Sequence, residues 1–247
     1  MILALDFDGV VCDSVRETLE TSARAISEFS SQGEPHLVIG PSEEAEFLRY
    51  RKYVGPPGEY LILWKGIVGE IGFRSYEDFR KLSRQHAKEC ESFANLFFKE
   101  RQRSKTENLQ RWLGLHSFYR EVSQTLRVRS VAEKAFIVTT KDCKSVQMLL
   151  ATQGLVFSEH QIYGYEAGLT KPECLSEILS SHADERVLFV DDHPTYVQQC
   201  GGVEGVTSLL ADWGYWSGDT LDFTSDNEFH HIQLQNFSSY VMSQVAA

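Results

Sequence analysis

The reading of this chain turns on ILALDFDGVVCDS, residues 2–14. Four apolar residues, Ile2 to Leu5, run without a polar break into Asp6, Phe7 and Asp8, and a glycine follows at once. A short apolar run stopped by a glycine turn reads as a strand buried on both faces. Side chains alternate along a strand, so Asp6 and Asp8 share a face only while the backbone stays extended. Ligands of open α/β sheets bind beyond the carboxyl ends of the strands. Two carboxylates at such an end are therefore candidate site residues. The bland alternative is a turn with a helix cap downstream.

Working outward, SVRETLETSARAISEF (14–29) places Val15, Leu19, Ala23, Ile26 and Phe29 at helical spacing, with Ser14 as N-cap. A loop is expected around SSQGEPH and a helix over 42–54, with glutamates early and basic residues late. GPPG at 55–58 breaks the chain. The run 60–72 fits helix or strand by periodicity, with helix favoured; residues 75–111 read as one long helix or two short ones, and WLGLHSFYREVSQTL (112–126) continues in the same style. The texture then reverts to short apolar runs: AFIVTT (135–140), RVLFVDD (186–192) and VTSLLA (206–211) read as strands. Helical stretches alternate with them at KSVQMLLATQG, TKPECLSEILSSHA and PTYVQQCGG, and HIQLQNFSSYVMSQV reads as a last strand and helix. Strands alternating with helices predict a doubly wound parallel α/β sheet, Rossmann-like, with a mainly α-helical insertion. The expected boundaries are 1–13 and 131–247 for the α/β core and 14–130 for the insertion.

Charge supports two units. Residues 15–130 hold 19 basic and 16 acidic side chains, while the rest of the chain holds 5 basic and 19 acidic ones. The net charge of −11 argues against nucleic acid or an anionic membrane surface as partner. No apolar stretch approaches the ~20 residues that span a bilayer. The start lacks the basic and small-residue features of a signal peptide, so a cytoplasmic protein is expected. The five cysteines are scattered without a CxxC pair and read as reduced, mostly buried thiols.

Polar groups recur at the strand ends. Asp6 and Asp8 follow the first strand, Thr139 and Thr140 the second, and Asp191 and Asp192 close RVLFVDD, with Lys171 in the loop GYEAGLTKP. Carboxylates packed this closely cannot all stay ionised without a counter-charge. Asp oxygens suit Mg²⁺, which shares its sphere with waters and phosphate; calcium or manganese fits the same ligand types.

DFDGV (6–10), IVTT (137–140), Lys171-Pro172 and VLFVDD (187–192), in that order, resemble the four motifs of the haloacid dehalogenase superfamily, specifically its aspartate-nucleophile phosphatases. The insertion between the first two motifs is similar in placement to that family's cap. The resemblance implies a Mg²⁺-dependent phosphoric monoester hydrolase acting on a small phosphorylated metabolite. Asp6 would be the nucleophile and Asp8 the general acid and base. Thr139 and Lys171 would hold the phosphoryl oxygens, with Gly9 and Thr140 contributing to phosphate binding. The metal would rest on Asp6, the Asp8 main-chain carbonyl and Asp192, with Asp191 as direct ligand or orienting carboxylate.

The chain departs from the family in two places. The acidic pair is Asp191-Asp192 with Tyr196 four residues on, where Gly-Asp and a later Asp are common, and KPEC stands where KPxP is common. A phosphomutase shares the same core, and a catalytically silent binding or regulatory protein is the alternative from a different class. The cap carries no readable substrate motif, and nothing indicates an oligomeric state. His193, His230-His231 and the run KERQRSKTENLQR (99–111) read as structural or solvated, and DWGYWS (212–217) as core packing.

Overall fold

The computed structural model describes residues 1–30, 39–221 and 230–245; the SSQGEPH segment expected as a loop lies almost wholly outside them. β1 is Ile2–Leu5, four residues of which none exceeds 1% exposure. β2 (Cys12–Asp13) and β3 (Ser117–Phe118) are two-residue strands. β4 (Ala135–Val138), β5 (Ile162–Tyr163), β6 (Val187–Asp191), β7 (Val206–Ala211) and β8 (His231–Ile232) complete the set among the described residues. Six of these form one parallel sheet in the order β5-β4-β1-β6-β7-β8. β1 lies between β4 (Leu3 opposite Ala135) and β6 (Ile2 opposite Val187), which accounts for its unbroken apolar run.

Parallel neighbours need crossovers. Helices Cys143–Thr152, Lys171–Ser181 and Pro194–Gly201 supply those from β4 to β5, β5 to β6 and β6 to β7. Cys174, Leu175 and Ile178 from the second of them, with Cys200 from the third, pack on Ile2, Ala4, Phe136, Val138, Val187 and Phe189. The helix Leu234–Val245 packs against β1 and against helices Arg120–Thr125 and Arg129–Ala132. Cys12, Cys90, Cys174 and Cys200 are buried and Cys143 is half-buried; all five are free thiols.

The chain divides into two compact units. The first holds the sheet, from residues 1–13, 117–216 and the C-terminal stretch. The second holds 14–116 and the short segment from 217, which Asp219 ties in by accepting from Lys52 (2.9 Å) and Tyr53. The expected boundary at 130/131 therefore moves to 116/117. Residues 117–130 belong with the sheet because β3 pairs antiparallel with β2 (Cys12 opposite Phe118) and Tyr119 N–H donates to Val11 O at 3.1 Å. Two-residue strands are too short to give a periodic signal, so the sequence reading ran the helical texture through them.

The helical unit contains Val15–Ser30, Pro41–Tyr50, Tyr60–Ile67, Tyr76–Gln85, Ala87–Glu107 and Leu109–Leu113. Residues 75–111, expected as one long helix or two short ones, form two helices divided at His86 and the start of a third after Asn108. Its core is aromatic: Tyr60 stacks on Phe47 and Phe97 at 5.7 and 5.3 Å. A buried ion pair crosses it, with Arg101 Nε and Nη2 donating to Glu17 at 2.8 and 3.0 Å while Thr21 Oγ1 donates to the same carboxylate at 2.8 Å. The basic run 99–111 is otherwise largely spent on surface ion pairs: Lys99 on Glu28, Arg103 on Glu107 (2.9 Å) and Arg111 on Glu20 (2.7 Å). No helix among the described residues is long and apolar enough to cross a membrane.

Candidate active site

Asp6 follows β1, and its N–H donates to Val190 O at 2.9 Å, so the ladder to β6 runs one residue past the strand. The chain then curls. Phe7 O accepts from Val11 and Cys12 N–H at 3.0 Å each, and Gly9 N–H donates to Cys12 O at 2.8 Å. Phe7 is fully buried and meets Phe118 edge-on at 6.1 Å. Gly9 sits at φ +93°, and a Cβ there would overlap the Asp192 carboxylate. The turn and the approach of Asp192 both need glycine. Gly9→Ala is expected to cost about 2 kcal/mol or more, read as a lower melting temperature; a melting temperature equal to wild type would contradict this geometry.

Lys171 stands at the first position of its helix, not in the preceding loop. Thr170 caps that helix, accepting from Glu173 N–H at 3.4 Å, while the Glu173 carboxylate accepts from Thr170 N–H at 2.7 Å. This fixes the lysine backbone. Its Nζ lies 2.9 Å from Asp6 Oδ1 and 2.6 Å from Asp191 Oδ2, and 4.4 Å over the Tyr196 ring. The Lys171 ammonium thus rests against the face of the Tyr196 ring.

Asp191 is wholly buried, and its other oxygen accepts from His193 N–H at 2.8 Å. Asp192 Oδ2 accepts from Tyr215 N–H at 2.7 Å. Oxygens of Asp6, Asp191 and Asp192 all lie within 4.8 Å of one another. Burial pushes the Asp6 carboxyl up to about 6; Lys171 pulls it back, and Asp191 and Asp8 add to the rise. Burial works against the Lys171 ammonium, but the carboxylates of Asp191 and Asp6 outweigh it and hold the group above the ordinary lysine range. Three clustered carboxylates, only two of them on the Lys171 ammonium, keep an excess of negative charge in a buried, oxygen-only donor set. A hard divalent cation such as Mg²⁺ fits that chemistry.

Thr139 closes β4: its N–H donates to Tyr163 O at 2.9 Å and its Oγ1 accepts from Lys141 N–H at 3.2 Å. Thr140 follows, half-buried, at the same strand end. Lys141 is the residue that sequence reading missed. Its side chain is fully buried, and Nζ lies 3.1 and 3.4 Å from the two oxygens of Asp8. The signal was present, since Lys141 lies between a strand-end threonine pair and the N-cap Asp142 of the next helix.

The DWGYWS segment is more than core packing. Trp213 does pack on Phe237, rings 5.8 Å apart, but its Nε1 also donates to Val10 O at 3.1 Å. Tyr215 holds Asp192 through its N–H and donates from its hydroxyl to Asp13 at 2.5 Å. A loop 20 residues after the acidic pair therefore clamps both Asp192 and the β1 turn. His193 is buried and caps the helix Pro194–Gly201. His230 and His231 are exposed at edge strand β8, where His231 Nδ1 lies 2.7 Å from Asp212.

No family model matches the sequence, and no curated protein matches it. Among solved structures, 41 chains match. A protein described as a predicted phosphoglycolate phosphatase from Haemophilus somnus 129pt is 14% identical over 97% of both chains, at a TM-score of 0.63. A haloacid dehalogenase-like family hydrolase from Streptococcus pneumoniae is 16% identical over 96% of both, at 0.56. Protein tyrosine kinase A of Mycobacterium tuberculosis is 17% identical over 97% of both, at 0.59. The chain thus has the haloacid dehalogenase-like fold. At these identities the fold is what is shared, and function must be argued from the site.

Proposed function

We propose that the protein is a Mg²⁺-dependent phosphatase of the haloacid dehalogenase type, hydrolysing a small phosphorylated metabolite through an aspartyl-phosphate on Asp6. The observation that carries this reading is the buried Lys171 ammonium bridging Asp6 and Asp191, with Asp192 beside them. A nucleophilic carboxylate, a fixed cation for phosphoryl oxygens and a hard-metal donor set are what phosphoryl transfer requires in one place. The fold alone does not select the activity, since proteins of this shape carry both phosphatase and tyrosine kinase descriptions.

Asp6 attacks phosphorus as the ester P–O bond breaks. Asp8 gives its proton to the leaving oxygen, then takes one from the water that cleaves the Asp6–phosphate bond. Such acid–base catalysis contributes about 10²–10⁴-fold. Lys171 and Thr139 hold the phosphoryl oxygens, with Gly9 and Thr140 beside them, and Asp191 keeps Lys171 in place. Asp6, Asp192 and the Asp8 carbonyl are assigned as metal ligands; both Asp191 oxygens already accept hydrogen bonds, which supports an orienting role for it. Bound Mg²⁺ would offset the carboxylates and polarise the phosphoryl group. The helical unit stands in the chain where this fold inserts its cap, and substrate choice is assigned to it.

The test is phosphate release from p-nitrophenyl phosphate and a panel of phosphorylated metabolites, with Mg²⁺ and after EDTA. Turnover is expected with metal and only background without it. No metal-dependent release on any substrate would leave a binding protein as the better reading. Isomer formation without net phosphate release would mark a mutase.

A further inference from the structure

We propose that Lys141 is a positioning residue that holds the Asp8 carboxylate in the orientation needed to exchange a proton with the leaving oxygen and then with water. The inference rests on the phosphatase reading above and adds to it a residue outside the four motifs.

Burying an ammonium costs several kcal/mol unless it is well paired. The Lys141 side chain shows no exposed surface, whereas that of Asp8 remains 15% exposed. The pair is therefore lopsided: a sequestered cation reaches toward a carboxylate that keeps access to solvent. Both Asp8 oxygens lie within 3.4 Å of Nζ, so the ammonium constrains the plane of the carboxylate and not merely its distance.

The base of this arm is rigid. Lys141 N–H donates to Thr139 Oγ1 at 3.2 Å, and its carbonyl accepts from Tyr165 N–H at 3.0 Å. The next residue, Asp142, caps the helix Cys143–Thr152 by accepting from Ser145 N–H at 3.0 Å. Asp8 stands on the curled turn after β1, next to Gly9 and bridged to Cys12.

The two lysines divide the carboxylates between them. Lys171 serves Asp6 and Asp191, and Lys141 serves Asp8. When the ester P–O bond breaks, Asp8 passes its proton to the leaving oxygen and becomes a carboxylate against the Lys141 ammonium. When water attacks the aspartyl-phosphate, that carboxylate takes up the water proton and phosphate leaves Asp6. Lys141 keeps its own protons throughout.

An acid matters for a poor leaving group and little for a good one, so the test compares two esters. The ratio of kcat/KM for an alkyl phosphate to that for p-nitrophenyl phosphate is measured in wild type, Lys141→Met and Lys141→Arg. Each kcat/KM covers the steps up to ester cleavage alone. The ratio is expected to fall about 10- to 100-fold in Lys141→Met and to recover in part in Lys141→Arg. In an Asp8→Asn background, adding Lys141→Met should move the ratio less than about twofold, because the residue acts through Asp8. If Lys141→Met fails to fold, the neutral donor Lys141→Gln carries the same comparison. Equal losses on both esters, or losses that add to those of Asp8→Asn, overturn the proposal and leave Lys141 as a structural prop. Wild type without metal-dependent turnover of either ester overturns the phosphatase reading first, and the role of Lys141 with it.

Discussion

Asp6→Asn is expected to lower kcat by about 10³-fold or more and, in the same protein, to raise metal-free stability. The loss follows from the chemistry: an amide of the same shape cannot attack phosphorus, and groups that act as a unit lose nearly everything when one is removed. The gain follows from the electrostatics. Burial raises the Asp6 carboxyl to about 6 even with Lys171 pulling it down. The folded state therefore binds more protons than the unfolded chain between pH ~4 and ~6. The contribution is complete below the unfolded value, is lost as pH rises through about 6, and stays lost at pH 7. A shift of about two pKa units is worth roughly 3 kcal/mol, or about 5–10 °C in a chain of this size. Thermal unfolding in EDTA from pH 4 to 8, wild type against variant, should show the curves diverging above pH 5 with Asp6→Asn the more stable. Retention of a tenth of wild-type kcat would remove Asp6 as nucleophile. Parallel melting curves would remove the electrostatic account.

Lys171→Met produces the opposite stability effect. It leaves Asp6 and Asp191 buried without their cation, and breaking a buried pair from one side costs about 3–5 kcal/mol. The melting temperature at pH 7 is expected to drop by about 10–15 °C, with phosphate release lost. Because the Lys171 ammonium is held above the ordinary lysine range, its contribution is fully present at neutral pH and is lost only as pH climbs through that raised value. In the variant the penalty should shrink as pH falls, because Asp6, without Lys171 to pull its carboxyl down, takes up a proton more readily and its charge then needs no partner. Metal-free melting of both proteins at pH 5 and pH 8 measures this. A gap between wild type and variant that does not narrow at pH 5 would contradict the assigned coupling.

The sheet was legible because β1, β4 and β6 lie side by side and are buried on both faces, which leaves unbroken apolar runs in the sequence. The polar groups that end those runs were legible for the same reason: a carboxylate or hydroxyl after four buried residues stands out. β2, β3 and β5 were not legible, since two residues carry no period and their pairing depends on what lies opposite. The same limit misplaced the 117–130 stretch.

The site shows where each kind of information comes from. The inventory proposed for it (Asp6, Asp8, Thr139, Lys171, Asp191 and Asp192) was legible from polar residues that follow the apolar runs and from the lysine between them, which opens the helix Lys171–Ser181. How those groups are shared out was decided by tertiary contacts between residues far apart in the chain. Lys171 bridges to Asp6 and Asp191, Lys141 to Asp8 across 133 positions, and Tyr215 N–H to Asp192. The stretch ILALDFDGVVCDS by itself determined a buried strand ending in two acids. It did not determine that the backbone curls after Asp6, or that Asp6 and Asp8 then face different lysines. Hydrophobic periodicity is a property of one segment, whereas the partner of a buried charge is whatever the folded chain brings within about 3 Å of it.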